Sequence, residues 1–275
     1  MSKSCGPSSL LRSMITPHLI TRRADHDGVD AHVTERDYVL AHVVAQLPEA
    51  RMSEGGRLVF KGGTALRFVH IGDYRYSADL DFTVLDATAH DGAAALSAAV
   101  AAAKEHVGFP TLEIQVGKTG LPRLAFVGPL GGKVRTVKLD FAVVEHVDSV
   151  EQRMIQAGLW NDLPEAGPFD VYPLEEITAE KLRCIIQRVQ CRDLYDLMRL
   201  TEDLKVVLTD IRGLFESKSR IKGLDPASFA EKFDDRVDRY KDRWDREMRE
   251  YVAEPPRLED VVRIVRRRLR AAGLI

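Results

Sequence analysis

In the run Ser77-Ala78-Asp79-Leu80-Asp81-Phe82-Thr83-Val84-Leu85, acidic and apolar residues alternate, and a pleated strand is the backbone that sorts such a pattern onto two faces. Asp79, Asp81 and Thr83 fall on one face, while Leu80, Phe82 and Val84 fall on the other. Two carboxylates held side by side on a rigid strand repel each other and are costly unless a divalent cation neutralises them. Oxygen-only ligands favour Mg²⁺ or Mn²⁺ over zinc. Just upstream, Arg57-Leu58-Val59-Phe60 reads as a short strand, and Lys61-Gly62-Gly63-Thr64 turns it into a helical start at Ala65-Leu66. Glycines let backbone N–H groups approach phosphate oxygens, and the new helix presents its positive end there. Alone, a Gly-Gly is an ordinary turn and an Asp-x-Asp a solvated strand end; together they read as a metal–nucleotide site.

A third carboxylate stands in Val134-Arg135-Thr136-Val137-Lys138-Leu139-Asp140-Phe141-Ala142-Val143-Val144. Lys138, Asp140 and Ala142 share one face, opposite Val137, Leu139, Phe141 and Val143. An acid there is expensive unless it is metal-bound or paired, with Lys138 as the structural alternative. After Pro173, Leu174, Ile177, Leu182, Ile185, Ile186 and Val189 recur at helical spacing and predict an amphipathic helix with Lys181 flanking its apolar face. Lys181, Arg188 and Arg192 would line one edge if that helix continues. Such a stripe suits a triphosphate or an RNA backbone, and equally a surface edge salt-bridged to Glu180, Asp193 and Asp196.

The ordered set Lys-Gly-Gly-Thr, Ser-x-Asp-x-Asp, Lys-x-Asp, Ala-Glu-Lys and Arg-Asp-x-Tyr-Asp-Leu resembles the AbiEii-type nucleotidyltransferase toxins, including the MenT group, of the polymerase-β-like superfamily. The resemblance runs from about Thr34 to Val252. It implies a toxin of a bacterial toxin–antitoxin system that transfers a nucleotide from an NTP, in several members to the 3′ acceptor end of tRNA, which blocks aminoacylation. By the same resemblance, Lys61, Gly62, Gly63 and Thr64 match the phosphate-binding loop, and Asp79, Asp81 and Asp140 match the metal ligands. Lys181 matches the pocket lysine, Asp193 the acidic residue that follows it, and Ser77 a serine important for activity that is sometimes phosphorylated. Asp196 competes with Asp193 for the last role. The wider superfamily usually has Gly-Ser where this chain has Gly63-Thr64, and the fourteen residues between Thr64 and Asp79 leave Arg67 and Arg75 without an assigned place.

At 275 residues and 45% hydrophobic, the chain can bury one sizeable core or two modest ones. A formal charge of −2 argues against a protein wrapped in nucleic acid, so any RNA contact must be local. Cys5, Cys184 and Cys191 show no metal-type clustering and suggest a reducing, cytoplasmic bacterial setting. No apolar run is long enough for a signal peptide or membrane span.

Thr34-Glu35-Arg36-Asp37 reads as a helix start leading into Tyr38 to Leu47. Ten alanines between Ala87 and Val107 predict a helix across one sheet face. Thr111 to Val116 and Arg123 to Val127 read as strands, and Trp160 to Pro173 as a linker. Phe229 to Val252 carries one apolar face at helical spacing. A last helix after Pro255-Pro256 sets Arg263, Arg266, Arg267 and Arg270 opposite an apolar side, as phosphate ligands or a solvated face.

These readings combine into an α/β (α+β) protein: a partly irregular N-terminal segment over 1–30, a mixed-sheet nucleotidyltransferase lobe over 31–151, a linker over about 152–170 and an α-helical lobe over 171–275. The expected partners are NTP, tRNA and a cognate antitoxin, and the expected state is a monomer. In the expected mechanism Asp79 and Asp81 hold two Mg²⁺ ions, and Asp140 binds one of them and helps activate an acceptor hydroxyl. Gly62 and Gly63 seat the phosphates, and Lys181 neutralises leaving pyrophosphate. The competing readings are transfer to a protein or small molecule, and a non-catalytic binding module.

Overall fold

The computed structural model describes residues 14–53, 55–72, 74–117 and 120–275; Cys5 lies outside them. The strands β1 (Arg57–Lys61), β2 (Asp79–Leu85), β3 (Thr111–Val116), β4 (Pro122–Val127), β5 (Arg135–Ala142), β6 (Glu151–Arg153) and β7 (Phe169–Val171) form one mixed sheet in the order β3-β4-β5-β2-β1-β7-β6. Strand β2 is central, antiparallel to β1 and parallel to β5. The register pairs Lys61 with Asp81 and Asp81 with Asp140, so these three share one row on one face. One residue along, Phe60, Phe82 and Phe141 form the next row on the opposite face. Their rings touch at centroid distances of 5.5 Å for Phe60–Phe82 and 5.5 Å for Phe82–Phe141, the latter pair stacked. The alternation of the sequence therefore becomes a charged upper surface and an aromatic lower one.

Ten helices surround the sheet among the described residues, two of them, α3 (Gly62–Ala65) and α9 (Trp244–Met248), a single turn each. Helix α4 (Ala89–Val107) lies across the apolar face. Thr88 caps it with a reciprocal bond to Asp91, and at Gly92 a Cβ would stand 2.6 Å from Val84 Cγ2, so glycine permits the close approach. Helix α2 (Ala31–Ala45) begins four residues before the predicted start, because Asp30 rather than Thr34 is its N-cap and accepts from the amide of His32. Before it, α1 (Pro17–Asp27) occupies much of the stretch read as partly irregular; its Pro17 start and Gly28 stop are ordinary helix punctuation. Helix α3 continues as a π-helical turn over Leu66–Ile71.

The helical segment comprises α5 (Leu174–Gln187), α6 (Cys191–Glu202), α7 (Arg212–Ile221), α8 (Phe229–Lys241), α9 and α10 (Leu258–Ala271). The predicted Phe229–Val252 helix is split between α8 and α9, yet Phe229, Phe233, Tyr240, Trp244 and Met248 all remain buried. The stretch read as a linker from Trp160 to Pro173 contains β7, which pairs with both β1 and β6. Short paired strands of this kind have no periodicity long enough to register in sequence. Cys184 and Cys191 are buried and free. Among the described residues no helix is long and apolar enough to cross a membrane.

The aromatic row carries a measurable load. Phe82, 1% exposed and in contact with Phe60 and Phe141, leaves a large void on truncation. Phe82→Ala is expected to lower unfolding free energy by about 3–5 kcal/mol in urea titrations.

Candidate active site

A polar cleft of about 400 Å³ opens above the charged row, walled by β1, β2 and β5 on one side and by α5 and α6 on the other. Lys61, Gly62, Gly63, Ser77, Asp79, Asp81, Asp140 and Lys181, all singled out in the sequence, line it. Two glycines are required by contact. Gly62 adopts φ +78, and a Cβ there would stand 2.5 Å from Asp81 Oδ2; at Gly63 a Cβ would meet Arg75 Nη2 at 2.5 Å. Lys61 places no side-chain cap on the turn, so no cap side chain claims the first amides of α3, whose Gly62 and Gly63 line the cleft.

The three carboxylates differ in surroundings. Asp79 Oδ2 receives Arg192 Nη2 at 3.1 Å, and Asp140 Oδ2 receives Lys138 Nζ at 2.8 Å on the half-exposed side of the sheet. Asp81 has no ion-pair partner among the described residues, and burial together with Asp79 and Asp140 pushes its carboxyl up despite the nearby Lys61. Among the described residues no three acidic, histidine or cysteine side chains already stand in a metal-ligand arrangement. The donor set nevertheless fits a hard divalent cation: three carboxylates on one sheet face, Asp81 and Asp140 in register, with Asp81 unpaired and destabilised as an anion.

Behind the cleft lies a buried ionic network. Lys181, 6% exposed, bridges Asp193 Oδ1 at 2.9 Å and Asp196 Oδ2 at 2.7 Å. Asp196 also grips Arg75 through two 2.6 Å bonds and accepts from the Tyr74 hydroxyl; Asp193 accepts from Arg188 Nε at 2.8 Å. This corrects the sequence reading in three places. Helix α5 ends at Gln187, with Arg188 extended, so Lys181, Arg188 and Arg192 do not line one continuous helix edge. Lys181 is an internal residue rather than a surface one. Asp193 and Asp196 both lie behind the wall and touch the cleft only through the cations they orient.

Thr64 likewise sits under the turn, donating its hydroxyl to Asp79 O and accepting from the Ser77 hydroxyl at 2.8 Å, so it fastens the glycine turn to the start of β2. Lys61 is held by Glu180 at 2.8 Å and Glu145 at 3.4 Å, and Glu145 also pairs with Lys222 at 3.0 Å. The structure gives Arg67 a place as well: it pairs with Asp37 of α2.

Sequence reasoning left Arg75 unplaced and missed Glu145 and Tyr251. For Arg75 a signal existed, since a cation between Tyr74 and Tyr76 in a buried run needs a carboxylate partner. Tyr251, whose ring faces Arg75 and Arg192, comes from the segment between α9 and α10 and carries no local signature. The α10 arginines lie outside the cleft. Arg263, Arg266 and Arg267 are ion-paired on the surface with Asp260, Asp234 and Glu202.

Truncating Lys181 leaves two buried carboxylates short of a partner, so Lys181→Ala is expected to cost about 3–5 kcal/mol in chemical denaturation rather than nothing. Burial alone would raise the carboxyls of Asp193 and Asp196. Their cations more than offset this, holding Asp193 well below the usual range and Asp196 at about 2. A depressed native value means stability that is present above the unfolded value and lost as the folded one is approached. Thermal melts are expected to fall steeply as pH drops from about 4 towards 2, and less steeply in Asp196→Asn.

The profile of the nucleotidyl transferase AbiEii toxin family, of type IV toxin–antitoxin systems, matches residues 47–267. No curated protein sequence matches the chain. Among solved structures, the fold is similar to that of MenT4, a nucleotidyltransferase toxin from Mycobacterium tuberculosis H37Rv, with TM-score 0.65, 21% identity, and 94% of this chain and 90% of that one covered. It is also similar to JHP933 from Helicobacter pylori, with TM-score 0.58, 16% identity and coverage of 89% and 93%. The profile spans the glycine turn, all three carboxylates and the Lys181 network, and by that match the chain belongs to the AbiEii nucleotidyltransferase toxin family.

Proposed function

We propose that this chain is a metal-dependent toxin that transfers a nucleoside monophosphate from an NTP to the 3′ acceptor end of tRNA, blocking aminoacylation. The observation that carries the reading is the set Asp79, Asp81 and Asp140 on one sheet face, with Asp81 and Asp140 in register, facing a cleft whose helical side supplies Lys181, Arg188 and Arg192 while Lys61 and Arg75 stand beside the acids. Carboxylates on the sheet face, with cations beside them and across the cleft, suit a triphosphate with its counterion. Mg²⁺ or Mn²⁺, when bound, supplies charge neutralisation for the phosphates and lowers the pKa of an acceptor hydroxyl.

Asp79, Asp81 and Asp140 would hold that cation. Gly62 and Gly63 seat phosphate oxygens on backbone amides, and Lys181, kept charged and fixed by Asp193 and Asp196, faces the pyrophosphate as it leaves. The acceptor oxygen bonds to the α-phosphorus, the bond to the bridging oxygen breaks, and the hydroxyl proton passes towards the Asp140 side. Ser77 stands at the cleft wall, hydrogen-bonded to Thr64, where an added phosphate would meet Asp79.

A large acceptor is favoured by the sheet beyond Asp140. Thr136, Lys138, Arg123, Glu113 and Gln115 are exposed on the same face, so that surface is open to solvent. This openness favours a polymer over a small-molecule acceptor, and its Arg123 and Lys138 favour RNA over an unselected protein surface. The family description implies a cognate antitoxin as the second partner.

The test is transfer of label from each α-labelled NTP, with Mg²⁺, into total RNA or protein extract. Label is expected in tRNA, and Asp81→Asn is expected to abolish it, a loss of at least about 10³-fold, with the parent's melting temperature retained. Label entering protein alone would overturn the acceptor assignment.

A further inference from the structure

Among the described residues, Arg192 is the one cleft cation that pairs with a carboxylate of the metal face on β2 from the helical side. Its guanidinium is held at three points: Nη2 on Asp79 Oδ2 at 3.1 Å, Nη1 on the Tyr251 hydroxyl at 3.2 Å, and Nε on Gln190 Oε1 at 3.1 Å. The ring of Tyr251 faces the same guanidinium at 5.7 Å, and the Tyr251 carbonyl accepts from the amide of Tyr76 at 3.0 Å. The tether is therefore fastened to the segment that leads into β2. Of these contacts, the one to Asp79 alone is made to a residue that a divalent cation would claim.

We propose that Arg192 is the resident counterion of Asp79, that an arriving divalent cation takes its place there, and that the released guanidinium, still tethered by Tyr251 and Gln190, turns to the triphosphate. This rests on the nucleotidyl-transfer reading and adds a residue to it. A bare Asp79 beside Asp81 and Asp140 would be a concentration of like charge, and Arg192 relieves it while the cleft is empty. Once the cation neutralises Asp79, the arginine loses its partner at the moment an anionic substrate needs one. A fork-shaped donor suits phosphate oxygens as well as it suits a carboxylate. Metal and nucleotide binding are thereby coupled through one side chain.

The two halves of the exchange predict effects of opposite sign. Without nucleotide, R192Q is expected to bind Mn²⁺ about fivefold more tightly than the parent by electron paramagnetic resonance, because a competing cation is gone. With Mg²⁺ saturating, the same variant is expected to bind a non-hydrolysable NTP analogue about tenfold more weakly. R192K, which keeps the charge without the fork, should fall between parent and R192Q in both titrations. K222Q, which removes a cleft cation paired with Glu145 rather than Asp79, should leave Mn²⁺ binding unchanged. Melting curves of each variant verify that the fold is intact. If R192Q binds Mn²⁺ no more tightly, or holds the nucleotide as well as the parent does, the exchange is overturned while the metal site stands. If the parent and Asp79→Asn bind Mn²⁺ alike, the metal reading itself fails.

Discussion

Three carboxylates on one face of a sheet cannot be tolerated without positive charge close by, and much of this fold serves to deliver it. Lys61 arrives from the strand next to β2, Lys138 from two residues before Asp140, Arg75 from the approach to β2, and Lys181 and Arg192 from helices packed over the cleft. Three of these cations are themselves anchored by further carboxylates: Glu145 and Glu180 for Lys61, Asp193 and Asp196 for Lys181, Asp196 again for Arg75. The consequence is a charge lattice that extends from the sheet into α5 and α6. Position, more than net stability, is what such a lattice secures, since buried ion pairs seldom outperform well-packed apolar residues of the same volume.

The aromatic row beneath the acids gives that lattice a rigid floor. Phe60, Phe82 and Phe141 are register partners just as Lys61, Asp81 and Asp140 are, one residue away in each strand. A one-residue shift in the pairing of β2 with β5 would carry acids into the core and rings into the cleft, so packing and function oppose the same slip. The stability of the lower face and the geometry of the upper one are not separable.

The strand pair, the glycine turn, the alanine-rich helix and the three carboxylates were legible in the sequence because each rests on a short, strongly patterned segment. The residues that escaped are held by partners far away in the chain. Arg75 meets Asp196, Tyr251 meets Arg192, and Glu145 meets Lys61 and Lys222, contacts that no local periodicity encodes. The extended Arg188 between α5 and α6 shows the same limit: the apolar spacing continues through Val189, but the side chain of Arg188 is drawn to Asp193 and the helix stops. Lys181 looked like an edge residue because its carboxylate partners lie on the following helix. What spacing could not say is that the edge faces inward.

The π-helical turn over Leu66–Ile71 bears on how such a chain can change its length. A π turn holds one residue more than an α turn, and Arg67 within it is fastened to Asp37 and to the carbonyl of Tyr74. One extra residue of the stretch between Thr64 and Asp79 is thus taken up within this turn, ahead of β2. A residue lost there would convert the π turn to an ordinary turn and leave the strand untouched, whereas one lost between Asp79 and Leu85 would turn the rest of β2 to the opposite face. Tolerance to insertion and deletion is in this way confined to a segment whose geometry can absorb it.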